Sequence, residues 1–295
     1  MPVLLPLLIL GSLLLKPQLV RAGEWRPVKE GKPYGISGIA LVRQQGDLSS
    51  FLVVHDNKLP DQGRLALVDI AGGGQPEYTP LQWPAEVEMP IDLEALTVVP
   101  GAGPPTFMAV GSRGRVYHLE LNADNSLSVL KIFDLPNLPP GSNLEGFALQ
   151  YIDEMLLAVY GHRGAGREPG VIYWGVLDLA AYELSQQGST TLEVPWPVGS
   201  VRHVSDLKVD PAGVVFVSSA RDNGDDGPFE SAIYAVGVFA GGDRQIQFRQ
   251  NPSLTPLYRF DSHKIEALEL VPGETGGLIV GSDDENMGGS LFPSW

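Results

Sequence analysis

One order of residues recurs five times along the chain, and a chain that repeats itself folds as an array of like units. The units begin at Ser37, Glu94, Glu145, Ser205 and Glu266, at intervals of 51 to 61 residues. Each opens on a side-chain oxygen followed by a small or short residue: Ser37-Gly38, Glu94-Ala95, Glu145-Gly146, Ser205-Asp206, Glu266-Ala267. Apolar runs of four to seven residues follow, such as Phe51 to Val54, Phe107 to Val110, Leu156 to Val159, Val214 to Val217 and Gly277 to Gly281. Their length and their Val, Ile, Phe and Tyr content read as strands. Pro100-Gly101, Asp210-Pro211-Ala212-Gly213 and Pro272-Gly273 punctuate them as turns. A third strand follows in every unit, and an outer fourth is expected at Leu127 to Phe133 and at Thr191 to Val194.

Radial repetition of four-stranded antiparallel sheets is a β-propeller. The expectation is an all-β, five-bladed ring occupying residues 23–295 as a single domain. Thirty residues run from Glu266 to Trp295 and fourteen from Gly23 to Ile36, together about one blade. The segment near Glu24-Trp25-Arg26-Pro27-Val28 is therefore expected to supply the outer strand of the last blade and cover its edge. A sixth blade within the longer intervals is the alternative. The 35 glycines and 25 prolines argue for many short strands and against a helical bundle. Trp25, Trp83, Trp174, Trp196 and Trp295 read as packing residues.

Residues Val3 to Leu15 form an apolar run too short to span a bilayer, and Val20-Arg21-Ala22 has the form of a cleavage site. Residues 1–22 are expected to be a secretory signal, cut before Gly23, with an uncleaved anchor as the alternative. No Lys or Arg precedes the run, which leaves a basic segment upstream of Met1 as a further alternative. A secreted or periplasmic monomer, free of the membrane after cleavage, is the expected product. The full sequence's formal charge of −15 argues against nucleic acid, which requires a basic footprint. With no cysteine, disulfides, thiolate metal sites and cysteine nucleophiles are excluded.

The first residue of each innermost strand lies at one mouth of a propeller's central channel. Ser37, Glu94, Glu145, Ser205 and Glu266 thus form a ring of oxygen donors. Three carboxylates aimed at one axis repel one another unless a cation intervenes. Calcium takes 6–8 oxygen ligands in tolerant geometry, whereas zinc favours His or Cys and magnesium a tighter octahedron. The competing reading leaves these acids capping strands in water. The loops after the second strands reach the same mouth with His55-Asp56-Asn57, Ser112-Arg113, His162-Arg163, Arg221-Asp222-Asn223 and Asp283-Asp284-Glu285-Asn286. Arg113, Arg163 and Arg221 are candidates to hold a phosphate-type anion above the ion, with Asp56 or Asp222 orienting a water. The alternative is a belt of ion pairs clipping the blades together.

The Ser/Glu/Glu/Ser/Glu order resembles the ring of two groups of five-bladed calcium proteins. These are the calcium-activated nucleotidases (apyrases) and the extracytoplasmic SdiA-regulated proteins with their phytase-like esterase relatives. Val204-Ser205-Asp206-Leu207, Arg221 to Phe229, Glu266-Ala267 and Asp283 to Asn286 are most similar to the second group. That resemblance implies a central calcium on the five aligned residues, and a calcium-dependent phosphoric ester hydrolase as one function. A non-catalytic propeller that binds a ligand or protein around a structural calcium is the other. No apyrase nucleotide-binding residues are matched.

Overall fold

A computed structural model describes residues 23–101, 103–242, 245–273 and 277–294. The secretory-signal reading of residues 1–22 and the packing reading of Trp295 lie outside the described residues. A short strand, β1 (Arg26–Lys29), comes first. Blade I is β2 (Gly38–Gln45), β3 (Leu48–Val54), β4 (Leu65–Ala71) and β5 (Glu77–Leu81). Blade II is β6 (Leu93–Val98), β7 (Thr106–Gly111), β8 (Arg115–Leu121) and β9 (Leu127–Asp134). Blade III is β10 (Leu144–Ile152), β11 (Met155–His162), β12 (Gly170–Asp178) and β13 (Glu183–Leu192). Blade IV is β14 (Val201–Val209), β15 (Val214–Arg221), β16 (Ser231–Gly242) and β17 (Gln245–Gln250), with β18 (Tyr258–Phe260) also on β16. Blade V is β19 (Ile265–Val271), β20 (Gly277–Ser282) and β21 (Gly289–Pro293).

All neighbouring strands pair antiparallel, and β1 completes blade V by pairing with β21, Arg26 opposite Leu291. The inner strands close a ring: β2 touches β6, β6 touches β10, β10 touches β14, β14 touches β19, and β19 returns to β2. This is the five-bladed propeller expected, shut by its N-terminal strand. Among the described residues there is no sixth blade. The extra length in the fourth unit forms the twelve-residue β16, whose outer edge is shared by β17 and β18. The fourth strand of blade III is also displaced from the expected Thr191–Val194. It runs over Glu183–Leu192, a polar, mostly exposed sequence that carries no apolar signal of its own.

Five buried clusters hold the ring together, each between one pair of adjacent blades. The alternation of a strand explains how. In β3, Leu52 and Val54 face blade II while Phe51 and Val53 face blade V. A strand buried on both faces has no polar side to show, so it appears in the sequence as an unbroken apolar run. Burying each such side chain contributes roughly 1.5–3 kcal/mol relative to leaving it in water.

Candidate functional site

The oxygen-bearing residue of each repeat sits where its inner strand leaves regular pairing. In β6, β10 and β19 the register slips by one residue between Leu93 and Ala95, Leu144 and Gly146, and Ile265 and Ala267. The residues in the slips are Glu94, Glu145 and Glu266. Blade IV has a wider irregularity, from Arg202 to Asp206, that contains Ser205. In blade I, Ser37 stands just ahead of β2 and donates its backbone N–H to Val54. Such bulges re-aim a side chain without disturbing the rest of the strand. The small residue that follows has its own cause. A Cβ on Gly38 would come within 2.8 Å of the backbone nitrogen of Leu96, and one on Gly146 within 2.7 Å of that of Leu207. Neighbouring inner strands pack too closely there for a large side chain.

Around this mouth the carboxylates fall into two groups. Glu145 and Glu266 are tied together by Arg202, whose guanidinium bridges Glu145 Oε2 at 3.3 Å, Glu266 Oε1, and Asp222 Oδ2 at 2.8 Å. Arg163 adds a contact of 3.3 Å to Glu145 Oε1. Lys264, fully buried, pairs with Glu266 and Asp283 at 3.3 Å each and with Glu285. The second group is Glu94 with Asp56 and Asp92, whose carboxylate oxygens lie within 4.8 Å of one another. Lys58 touches only the Asp92 member, at 2.8 Å.

The acids here are under electrostatic load. Burial, then Glu145 and Glu266, hold the Glu94 carboxyl well above the usual carboxylate range. Burial pushes Glu145 up to about 7 against the pull of Arg202. Asp56 and Asp283 are raised by burial and then by Glu266. In Asp222, Asp92 and Glu285, the last through Lys264 and Lys32, burial is outweighed. The charge and hydrogen bond of Arg202 hold Asp222 below its ordinary value, and hydrogen bonds from Lys58 and Ser112 do the same for Asp92. Two further ring members show a different deficit. Ser37 Oγ and Ser205 Oγ are completely buried and have no hydrogen-bond partner among the described residues. An orphaned buried hydroxyl costs about 1–3 kcal/mol. Orphans at two aligned positions of one ring, beside an under-neutralised carboxylate cluster, fit an oxygen-liganded cation.

The three arginines singled out from the sequence have three different surroundings. Arg163 reaches the ring, Arg221 is held by Glu230 at 2.7 Å within its own blade, and Arg113 is exposed with no hydrogen bond or ion pair among the described residues. Asp56 and Asp222 do stand at the mouth, one in each carboxylate group. The expected belt of ion pairs between blades takes another form. Its central member is Arg202 of blade IV, which grips acids of blades III and V and was not foreseen. Lys264 and Asp92 were also missed. The signal lay two residues before each aligned start, where Asp92, Asn143, His203 and Lys264 are polar in four of five repeats. His55 is structural: its ring contacts Gly35 O at 2.6 Å and Tyr78 OH at 3.1 Å, and burial keeps it neutral, down to about 4. Asp283, Asp284 and Glu285, in the loop after β20, are taken up by Lys264 and His263.

No protein-family model matches the chain, and no curated protein does. Among solved structures it is similar to an alpha-L-arabinofuranosidase from Podospora anserina, solved in complex with cellotriose. That likeness has 11% identity and a TM-score of 0.55, and it covers 92% of this chain and 96% of that one. An alpha-L-arabinofuranosidase from Lactobacillus brevis is similar at 11% identity and a TM-score of 0.50, covering 90% of this chain and 94% of that one. At such identity the likeness carries the propeller fold and says nothing about the residues at the mouth.

Proposed function

We propose that the protein is an extracytoplasmic, calcium-binding β-propeller whose charged mouth hydrolyses a phosphate ester. The observation that carries the reading is the pair of orphaned hydroxyls, Ser37 and Ser205, in one ring with the crowded carboxylates. Glu94, Asp56 and Asp92, with the two serines, are the residues that would hold calcium. The oxygen-only donor set suits that ion. When bound, calcium supplies positive charge against which carboxylates and phosphoryl oxygens are stabilised.

The chain's own residues would do the rest. Arg163 and Arg202 border a pocket of about 340 Å³ with Asp222 on its wall. Their guanidinium groups suit a phosphoryl oxygen pair. Asp222, kept ionised by Arg202, can accept a hydrogen bond from a water and orient it. Glu145, balanced near neutral pH, can take or give a proton at its carboxylate. The extracytoplasmic location rests on residues 1–22. The same mouth also supports a second reading, a non-catalytic propeller pinned by calcium. Its supporting observation is that Arg202 is already saturated by three carboxylates.

One assay separates these. The purified protein is incubated with aryl phosphates, nucleoside diphosphates and an aryl arabinofuranoside, with calcium or with a chelator. Calcium-dependent phosphate release is expected. Calcium stabilisation without turnover would move the reading to the pinned scaffold. Sugar release alone would move it to the chemistry named for the fold neighbours. Neither calcium stabilisation nor turnover would end both calcium readings.

A further inference from the structure

The far end of the channel is a separate site. There the inner strands present Leu41, Val98, Leu149 and Leu270, among others, to a cavity of about 920 Å³. That volume lies in the range of small-molecule sites, which are apolar with a few polar groups that fix orientation. The cavity runs outward past Phe216 to Leu257 and Tyr258, both exposed at its rim.

One cation lines it, together with the carboxylates of Asp210 and Glu269. Lys208, 4% exposed, extends from β14 of blade IV across the channel to donate to the backbone carbonyl of Leu96 in blade II. This is the one hydrogen bond of that ammonium among the described residues, and no ion pair accompanies it. An ammonium carries three donors, so two lack a protein acceptor. Asp206 and Glu269 feel the charge of Lys208 but form no ion pair with it, and backbone N–H groups occupy both carboxylates. Asp206 accepts the backbone N–H groups of Leu207 and Leu268 at 2.7 Å each. Glu269 accepts those of Leu270 at 2.8 Å and Leu41 at 3.4 Å. A half-bonded ammonium in an apolar cavity calls for an anionic partner. A singly charged partner matches the one ammonium in the cavity.

We propose that this cavity binds a small amphipathic carboxylate, its head on the free N–H groups of Lys208 and its apolar body among Leu41, Leu149, Phe216 and Leu270. The inference is independent of calcium and of any reaction at the other mouth.

Isothermal titration of the purified protein with decanoate, decanol and decylamine tests it, since the three share a tail and differ in the head. Decanoate should bind saturably, one per chain, and about tenfold or more tighter than decanol, with decylamine weakest. Lys208→Met, which keeps the stem, should weaken decanoate by about 10–100-fold, the scale of a hydrogen bond to a charged group, and leave decanol unchanged. Lys208→Arg should retain the preference. A chelator should change none of this. The idea is overturned by no saturable decanoate binding, by equal affinity for decanoate and decanol, or by preference for decylamine. The head-group comparison on the unmodified protein decides even where Lys208→Met fails to fold.

Discussion

The same five inner strands end in opposite chemistries. At one mouth they carry Glu94, Glu145 and Glu266, two buried serines and an inter-blade arginine; at the other they frame an apolar cavity with a single lysine. A regular strand alternates its faces, so a one-residue shift flips every side chain beyond it. The bulges confine that shift to one residue. They let Glu94, Glu145 and Glu266 leave the alternation while Leu96, Leu149 and Leu268 stay packed between blades. The polar mouth is thus an addition to the strand ends, separable from the core beneath it.

The largest test of that separation is Arg202→Ala. It strips the counter-charge from Glu145, Glu266 and Asp222 together, and breaking a buried pair costs about 3–5 kcal/mol. A fall in melting temperature on the order of 10 °C is expected. A change within a degree or two would show that the mouth's acids are balanced by something else. Calcium should act next. At about 100 times its dissociation constant it should add about 2.7 kcal/mol by mass action, and Glu94→Gln should remove most of that gain. Thermal melts with calcium and with chelator measure both, and identical melts for the unmodified protein would remove the ion from the mouth.

The pH dependence sharpens the contrast inside the channel. Burial raises Asp206 from about 3.8 to about 8, despite Lys208. Between those values the folded state holds a proton that the unfolded chain releases. The group's contribution therefore falls as pH rises through that window. Glu145, raised to about 7, acts in the same sense. Metal-free protein should melt higher at pH 6 than at pH 8.5, and Asp206→Asn should flatten the difference. A melting temperature that climbs with pH would contradict the sign. The smallest effect belongs to Arg221→Ala. Its partly exposed pair with Glu230 is worth about 1 kcal/mol at most, and stability should barely move. A large loss would make Arg221 part of the mouth after all.

Most of the architecture was legible because an apolar strand buried on both faces advertises itself. The aligned starts, the five blades and the closure by residues near Trp25 all follow from where such runs begin. What was hidden has physical causes. β13 is wetted along most of its length, so Glu183 to Thr191 resemble a loop. Arg202 and Lys264 stand beside aligned positions, but their partners lie in other repeats or across a loop. Only the ring geometry brings Glu145, Arg202 and Glu266 together. Residues such as Arg113 and Arg221 carry the right chemistry in the right loops, yet local pairing or solvent claims them first. Lys208 was invisible for the opposite reason: a lysine within an apolar strand gives no sign of which neighbour it crosses to reach.

The pairing of β1 with β21 also sets a schedule. Arg26 leaves the ribosome long before Leu291, and at about 5–20 residues per second the wait is on the order of tens of seconds. During that interval blades I to IV can assemble only as an open arc, and β1 is a strand without a mate. Its composition suits the delay. Arg26, Pro27 and Lys29 are the charged and proline residues that discourage stray strand pairing, leaving Val28 as its apolar contact with the core. Ring closure is therefore a late event in the life of each molecule, joining its oldest strand to its youngest.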